Sequence, residues 1–214
     1  YTESFADIAN WTFGSNGTFS AGTGAACWKG NATQATGTIP DGVKLTTQTT
    51  GFTTSTSGGV QKGTGTLLLL STGSTDNTSS AAMDIYADFT GVQAGTLSFD
   101  WSSANNSTGD RKGSVRVYAS VDGTTFTELT SAQVLNFTNN VVTSGSVTNV
   151  ALPSSFNNAA TARIRFYYYN GTGGATGSRP KFSLDNVQIT ALANSPCTTP
   201  IAQPTGMNFD NIAS

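Results

Sequence analysis

The side chains able to do chemistry are few in this chain. Histidine is absent, so neither a Ser-His-Asp nor a Cys-His constellation can be assembled, and the common His-ligated zinc centres are excluded with them. Of the twelve acidic residues only Glu3 and Glu128 are glutamates, which leaves few candidates for the paired carboxylates of a glycosidase. No nucleophile can be matched to a base, and the expectation is a protein that is not an enzyme. The only cysteines, Cys27 and Cys197, allow at most one intrachain disulfide, which would enclose nearly the whole domain. Two unpaired thiols, or a partner for Cys197 beyond the end of the chain, are the alternatives.

Three other groups of residues could bind. The first lies in Phe182-Ser183-Leu184-Asp185-Asn186-Val187-Gln188-Ile189, where Phe182 and Leu184 share one parity and Val187 and Ile189 the other. One extra residue restores all four to one face, so a β-bulge is expected at Asp185-Asn186. A carboxylate there can coordinate Ca²⁺, which takes oxygen ligands, or can cap the bulge by bonding nearby amides. The second group is a stripe. If Ile164, Phe166 and Tyr168 point inward, Arg163, Arg165, Tyr167 and Tyr169 point outward, beside Arg116 and Tyr118 of a neighbouring segment. Aromatic rings among guanidinium groups suit a sugar ligand; an ordinary exposed sheet with Arg–Tyr stacking is the alternative. The third group joins two similar Gly-rich loops carrying Arg111-Lys112 and Arg179 with Lys181, a basic rim for an anionic glycan or acidic partner if the loops meet at one end, and otherwise solvated loop charge.

The elements that must position these residues read as strands. Of the 214 residues, 101 are Thr, Ser, Gly or Asn, and charged residues are only 10%, so solubility rests on hydroxyls and amides and nucleic acid is disfavoured as a partner. Alternation of period two runs through Met83–Phe89, Leu97–Trp101, Val115–Val121 and Arg163–Tyr169, and no segment keeps helical periodicity over three turns. The fold class is therefore all-β. Asp122-Gly123 signals a two-residue hairpin turn after which Phe126 and Leu129 resume the apolar face. Phe5, Ile8, Trp11 and Phe13 suggest an N-terminal strand, whereas 14–66 offers only isolated anchors such as Trp28, Ile39, Val43, Leu45 and Phe52.

The longest aliphatic run is Leu67-Leu68-Leu69-Leu70, far short of the roughly 20 apolar residues of a membrane helix, so no membrane insertion is expected. A first residue Tyr1 fits a mature secreted chain. Three of the six prolines fall between Ala193 and Gln203-Pro204, which reads as a linker, and Met207–Ile212 reads as a strand without a partner, so the polypeptide is expected to continue.

Glu3-Ser4-Phe5 with Trp11-Thr12, Leu97-Ser98-Phe99-Asp100-Trp101, Val117–Gly123 with Phe126, and the closing Phe182–Ile189 segment together resemble the cleaved-adhesin and choice-of-anchor jelly-roll modules of Bacteroidota surface proteins, which are similar in shape to MAM and galactose-binding-like domains. The resemblance spans about residues 1–192 and implies an antiparallel two-sheet jelly-roll sandwich. The tail from Cys197-Thr198-Thr199-Pro200 to Ile212 likewise resembles the entry to a fibronectin type III repeat, so beside the Pro-containing linker at 193–206 it implies, at 207–214, the first strand of a truncated fibronectin type III-like domain. The jelly-roll resemblance also implies a structural Ca²⁺ held between Glu3 on the first strand and Asp185 on the last.

The expected function is a non-catalytic adhesion or structural module of a secreted, multi-domain bacterial cell-surface protein; the resemblance implies that it is cargo of type IX secretion, whose machinery would be its partner during export. Its surface partner would be a glycan or another cell-surface protein. A carbohydrate-binding module appended to an extracellular enzyme is the alternative, and a filament or surface-lattice subunit a weaker one.

Overall fold

A computed structural model describes residues 1–13, 18–30, 52, 58–71 and 81–194. The expectations for Ile39, Val43, Leu45, Cys197, nearly all of the 193–206 linker and the 207–214 strand lie outside the described residues. In chain order the strands are β1 (Thr2–Glu3), β2 (Thr12–Phe13), β3 (Phe19–Ser20), β4 (Trp28–Gly30), β5 (Gly59–Lys62), β6 (Leu67–Leu70), β7 (Ala81–Ala87), β8 (Val92–Ala104), β9 (Lys112–Ser120), β10 (Thr127–Glu128), β11 (Val134–Thr138), β12 (Ser144–Ala151), β13 (Ala162–Asn170) and β14 (Lys181–Ala193). Among the described residues the only helical elements are short 3-10 turns, and no helix is long and apolar enough to cross a membrane.

The strands form the expected antiparallel jelly-roll sandwich. Sheet I has the order β12-β8-β14-β6-β5, with β1 also on β14; sheet II has the order β10-β9-β13-β7-β4, with β11 also on β9. The four alternating segments became β7, β8, β9 and β13, because each supplies one apolar face to the space between the sheets. Phe166 of sheet II meets Phe99 of sheet I edge-on at 5.2 Å, and Trp28 stacks on Phe166 at 6.0 Å. Aromatic pairs at such separations add to the burial of large apolar area.

The bulge lies where parity put it. The β14–β8 register shifts between Asp185 and Gln188, and Asn186 takes a φ of 47°, the left-handed conformation that asparagine tolerates better than most residues. Here β14 changes neighbours: Phe182, Ser183 and Leu184 pair with β6, whereas Val187 and Gln188 pair with β1.

Two expectations were wrong in detail. The N-terminal run is not one strand. Phe5, Ile8 and Trp11, three residues apart and all buried, sit on a turn with Ile8 N bonded to Phe5 O and Trp11 N to Ile8 O. That spacing suits a 3-10 turn, where side chains three apart eclipse. The Asp122-Gly123 hairpin is also wider than two residues, since Ala119 pairs with Thr127. Asp122 Oδ1 accepts hydrogen bonds from Ser120 Oγ and from the amides of Thr124 and Thr125, an Asx-type bend that lengthens the loop. Leu129 then joins the inter-sheet core, but Phe126 falls on the other side of sheet II.

Candidate functional site

The outward stripe of sheet II is not a free surface, which corrects the expectation for Arg165, Tyr167 and Tyr169. The inward assignment of Ile164, Phe166 and Tyr168 holds, yet the outward side chains are buried too: Arg165 and Tyr167 are each 1% exposed. Arg165 forms a two-pronged ion pair with Asp84, its cross-strand partner on β7, with Nε–Oδ1 2.7 Å and Nη2–Oδ2 3.0 Å. Phe126 lies over its guanidinium at 4.1 Å. Tyr167 stacks on Tyr169 at 5.9 Å and meets Tyr118 edge-on at 6.5 Å, so these rings and Phe126 make a second apolar cluster. Arg116 donates to Tyr169 Oη at 2.6 Å and to both Glu128 oxygens at 3.0 Å, closing the margin. Tyrosines used up in stacking present no face to a sugar. Arg163, partly exposed, lies over the Tyr86 ring at 4.9 Å.

The two basic loops do meet at one end. Gly109 bridges Gly177, Thr108 O accepts from Ser178 N, and Asp110 Oδ1 accepts from the Ala175 and Thr176 amides, which holds its carboxyl below the usual range. Arg179 is itself 6% exposed, and burial lowers its pKa, so the rim presents Arg111, Lys112 and Lys181, each half-buried.

Glu3 and Asp185 do not converge. Glu3 is the cross-strand partner of Val187, whose side chain is fully buried, and points inward with it. Its Oε1 accepts from Phe5 N at 2.7 Å and its Oε2 from Tyr1 Oη at 3.3 Å. Asp185 follows the inward Leu184 and faces out on the opposite side of sheet I. A Ca²⁺ held by both is not supported, because the sheet lies between them. Cys27 is half-buried beside a hollow of about 240 Å³ that Tyr1, Tyr86, Phe89 and Ile189 also line.

The outer face of sheet I is the polar one. By register, Ser183 lies opposite Ser102 and Asp185 opposite Asp100, so β14 and β8 place two hydroxyls and two carboxylates in a square on one face. With Thr66 and Trp101 these residues line a hollow of about 160 Å³. Asp100 accepts from Ser146 Oγ of β12 and from Asn186 Nδ2 at 2.8 Å, and these two bonds hold its pKa below the ordinary carboxylate value. Asp185 Oδ1 accepts from Asn186 N at 2.7 Å. Sequence reasoning found Asp185 through its bulge and missed Asp100 and Ser102. Their alternation with Phe99 and Trp101 was legible, but their partner strand was not.

No protein-family model and no curated protein sequence matches the chain. Among solved structures it is similar to the K3 cleaved adhesin domain of Lys-gingipain from Porphyromonas gingivalis, with 13% identity, coverage of 89% of this chain and 97% of that one, and a TM-score of 0.41. The K1 cleaved adhesin domain of the same protein gives 15% identity, coverage of 91% and 98%, and a TM-score of 0.41. The carbohydrate-binding module TmCBM27, a structure concerned with specific mannan recognition, gives 12% identity, coverage of 91% and 96%, and a TM-score of 0.40.

Proposed function

We propose that the chain is a non-catalytic adhesion or structural module of a secreted, multi-domain bacterial cell-surface protein, exported as type IX cargo, and that it engages its partner through the outer face of sheet I. The observation that carries this reading is the contrast between a sheet II stripe closed over by its own aromatic rings and a sheet I face that leaves hydroxyls and carboxylates in an open hollow.

A carbohydrate-binding module appended to an extracellular enzyme is the second reading, favoured by the hydroxyls of Thr66, Ser102 and Ser183 beside those carboxylates, groups that pair with sugar hydroxyls. The lattice reading is weaker: β12, at one edge of sheet I, has its register broken between Val147 and Val150 with Asn149 at positive φ, a bulge that blunts edge-to-edge pairing.

The test is binding of the chain to a glycan array and to intact cell surfaces, with Ser102→Trp to fill the hollow. Saturable binding lost in Ser102→Trp at unchanged melting temperature is expected. Sugar-specific binding lost in that variant selects the second reading. Binding indifferent to Ser102→Trp and abolished by Arg111→Glu overturns the assignment of the face and moves it to the basic loops.

A further inference from the structure

We infer that the open end of the sheet II outer face binds an acidic polysaccharide, with Lys29 of β4 and Arg163 of β13 receiving its anionic groups on either side of the Tyr86 ring of β7. The inference goes beyond the binding reading, since it concerns the opposite sheet and stands whether or not the sheet I face has a partner.

The aromatic closure of sheet II ends at Arg165. At the next outward position of β13, Arg163 is opposed to Tyr86, and Lys29, opposed to Asp84, is the diagonal neighbour of Tyr86 on its other flank. All three residues are half-buried. The Lys29 Nζ and the Arg163 guanidinium each lie 4.9 Å from the centre of the Tyr86 ring. A ring attracts cations through its quadrupole and carries no net charge, so two like charges are gathered there without being neutralised.

The acids around this cluster are committed elsewhere. Asp84 holds Arg165 through two bonds, Asp88 accepts from the Thr90 amide, and Asp122 accepts from Ser120 and from two amides of its own turn. Among the described residues the ion pairs are Arg165–Asp84 and Arg116–Glu128, and neither includes Lys29 or Arg163.

A second observation shows that the guanidinium is seated rather than loose. Arg163 Nε is buried and meets no hydrogen-bond acceptor, and a Cβ at Gly123, whose φ is 73°, would stand 1.8 Å from Arg163 Nη1. The turn thus needs glycine to make room for the guanidinium, which it holds against the Tyr86 ring. An arginine fixed in this way has already lost much of its side-chain freedom, and its planar fork matches a carboxylate or a sulfate. Burial, and then the charge of Asp84, raise the Tyr86 pKa, so its hydroxyl stays protonated and able to donate. Cation, ring and cation follow one another across three adjacent strands. A polymer whose anionic groups are carried on rings matches that order, because its sugar rings can pack against Tyr86 while their charges reach the flanking cations. An acidic peptide carries its charges on flexible stems and pays more entropy to hold them in that order.

The experiment is calorimetric titration of the chain with polygalacturonate and with heparin oligosaccharides at low salt; the arm that binds distinguishes carboxylate from sulfate, and neutral dextran should not bind. Saturable binding that weakens with added NaCl is expected, reduced about tenfold or more in Lys29→Gln and in Arg163→Gln and less in Tyr86→Leu. Melting temperatures show whether each variant is folded, and Lys29→Gln, on the edge strand β4, supplies the readout if Arg163→Gln unfolds. Ser102→Trp should bind these polymers as the parent does, which separates failure of the sheet I reading from failure of this one. Absence of saturable binding of both polyanions up to about 1 mM overturns the proposal. So does binding that survives Lys29→Gln and Arg163→Gln together, that is abolished by Arg111→Glu alone, or that hexaglutamate reproduces with equal affinity.

Discussion

The outer faces of the two sheets differ in kind although the same alternation generated both. On sheet II the outward residues are large and amphipathic, and Arg165, Tyr167, Tyr169 and Tyr118 collapse with Phe126 into a second apolar layer. On sheet I they are small or acidic, Ser102, Ser183, Asp100 and Asp185, and remain at the floor of a hollow. Composition decides what an outward face becomes. Tyrosine and arginine carry apolar bodies that stabilise a fold when covered, whereas serine and aspartate lose more by desolvation than they return in contact. The stripe richest in ligand-type residues is therefore the one spent on stability.

The largest effect is expected of Arg165→Ala. It leaves Asp84 buried without its ion-pair partner, and removing one member of a buried pair typically costs about 3–5 kcal/mol. Urea denaturation with a loss within about 0.5 kcal/mol, the usual range for an exposed residue, would show that the stripe is open after all. Phe126→Ala should follow at about 3 kcal/mol, since it uncovers the Arg165 guanidinium as well as losing its own buried area.

A smaller effect is expected in the pH dependence. Burial raises the pKa of Glu3, so the folded chain keeps that proton longer than the unfolded one; the contribution is complete below the ordinary glutamate value and is lost as pH rises through the folded value. Asp100 has the opposite sign, because its depressed pKa contributes stability above the ordinary aspartate value that is lost as pH falls through the folded one. Melting temperatures measured from about pH 4.5 to pH 7 should therefore decline less in Glu3→Gln than in the parent. An identical decline in both chains would remove Glu3 as the cause.

The smallest effect is on sheet I. Ser102→Ala and Asp185→Asn should each change stability by no more than about 0.5 kcal/mol, with Asp185→Asn on the stabilising side because it relieves the charge facing Asp100. A loss of several kcal/mol would mean that the sheet I face is packed like that of sheet II.

Period-two alternation determined, from the sequence alone, the all-β class, the inward set Ile164, Phe166 and Tyr168, and the bulge at Asp185-Asn186. These are local properties: neighbouring side chains on a strand must take opposite faces, and a parity break can be absorbed only by an extra residue. Tertiary structure decided what local order cannot contain. It put Phe126 over Arg165 and Asp84 beside it, separated Glu3 from Asp185 by the thickness of a sheet, and brought Asp100 opposite Asp185 across 85 positions of chain. Alternation says which residues share a face of one strand. Which strand lies beside it, and which loop folds over it, depends on long-range pairing, whose outcome is set by the packing of the whole sandwich.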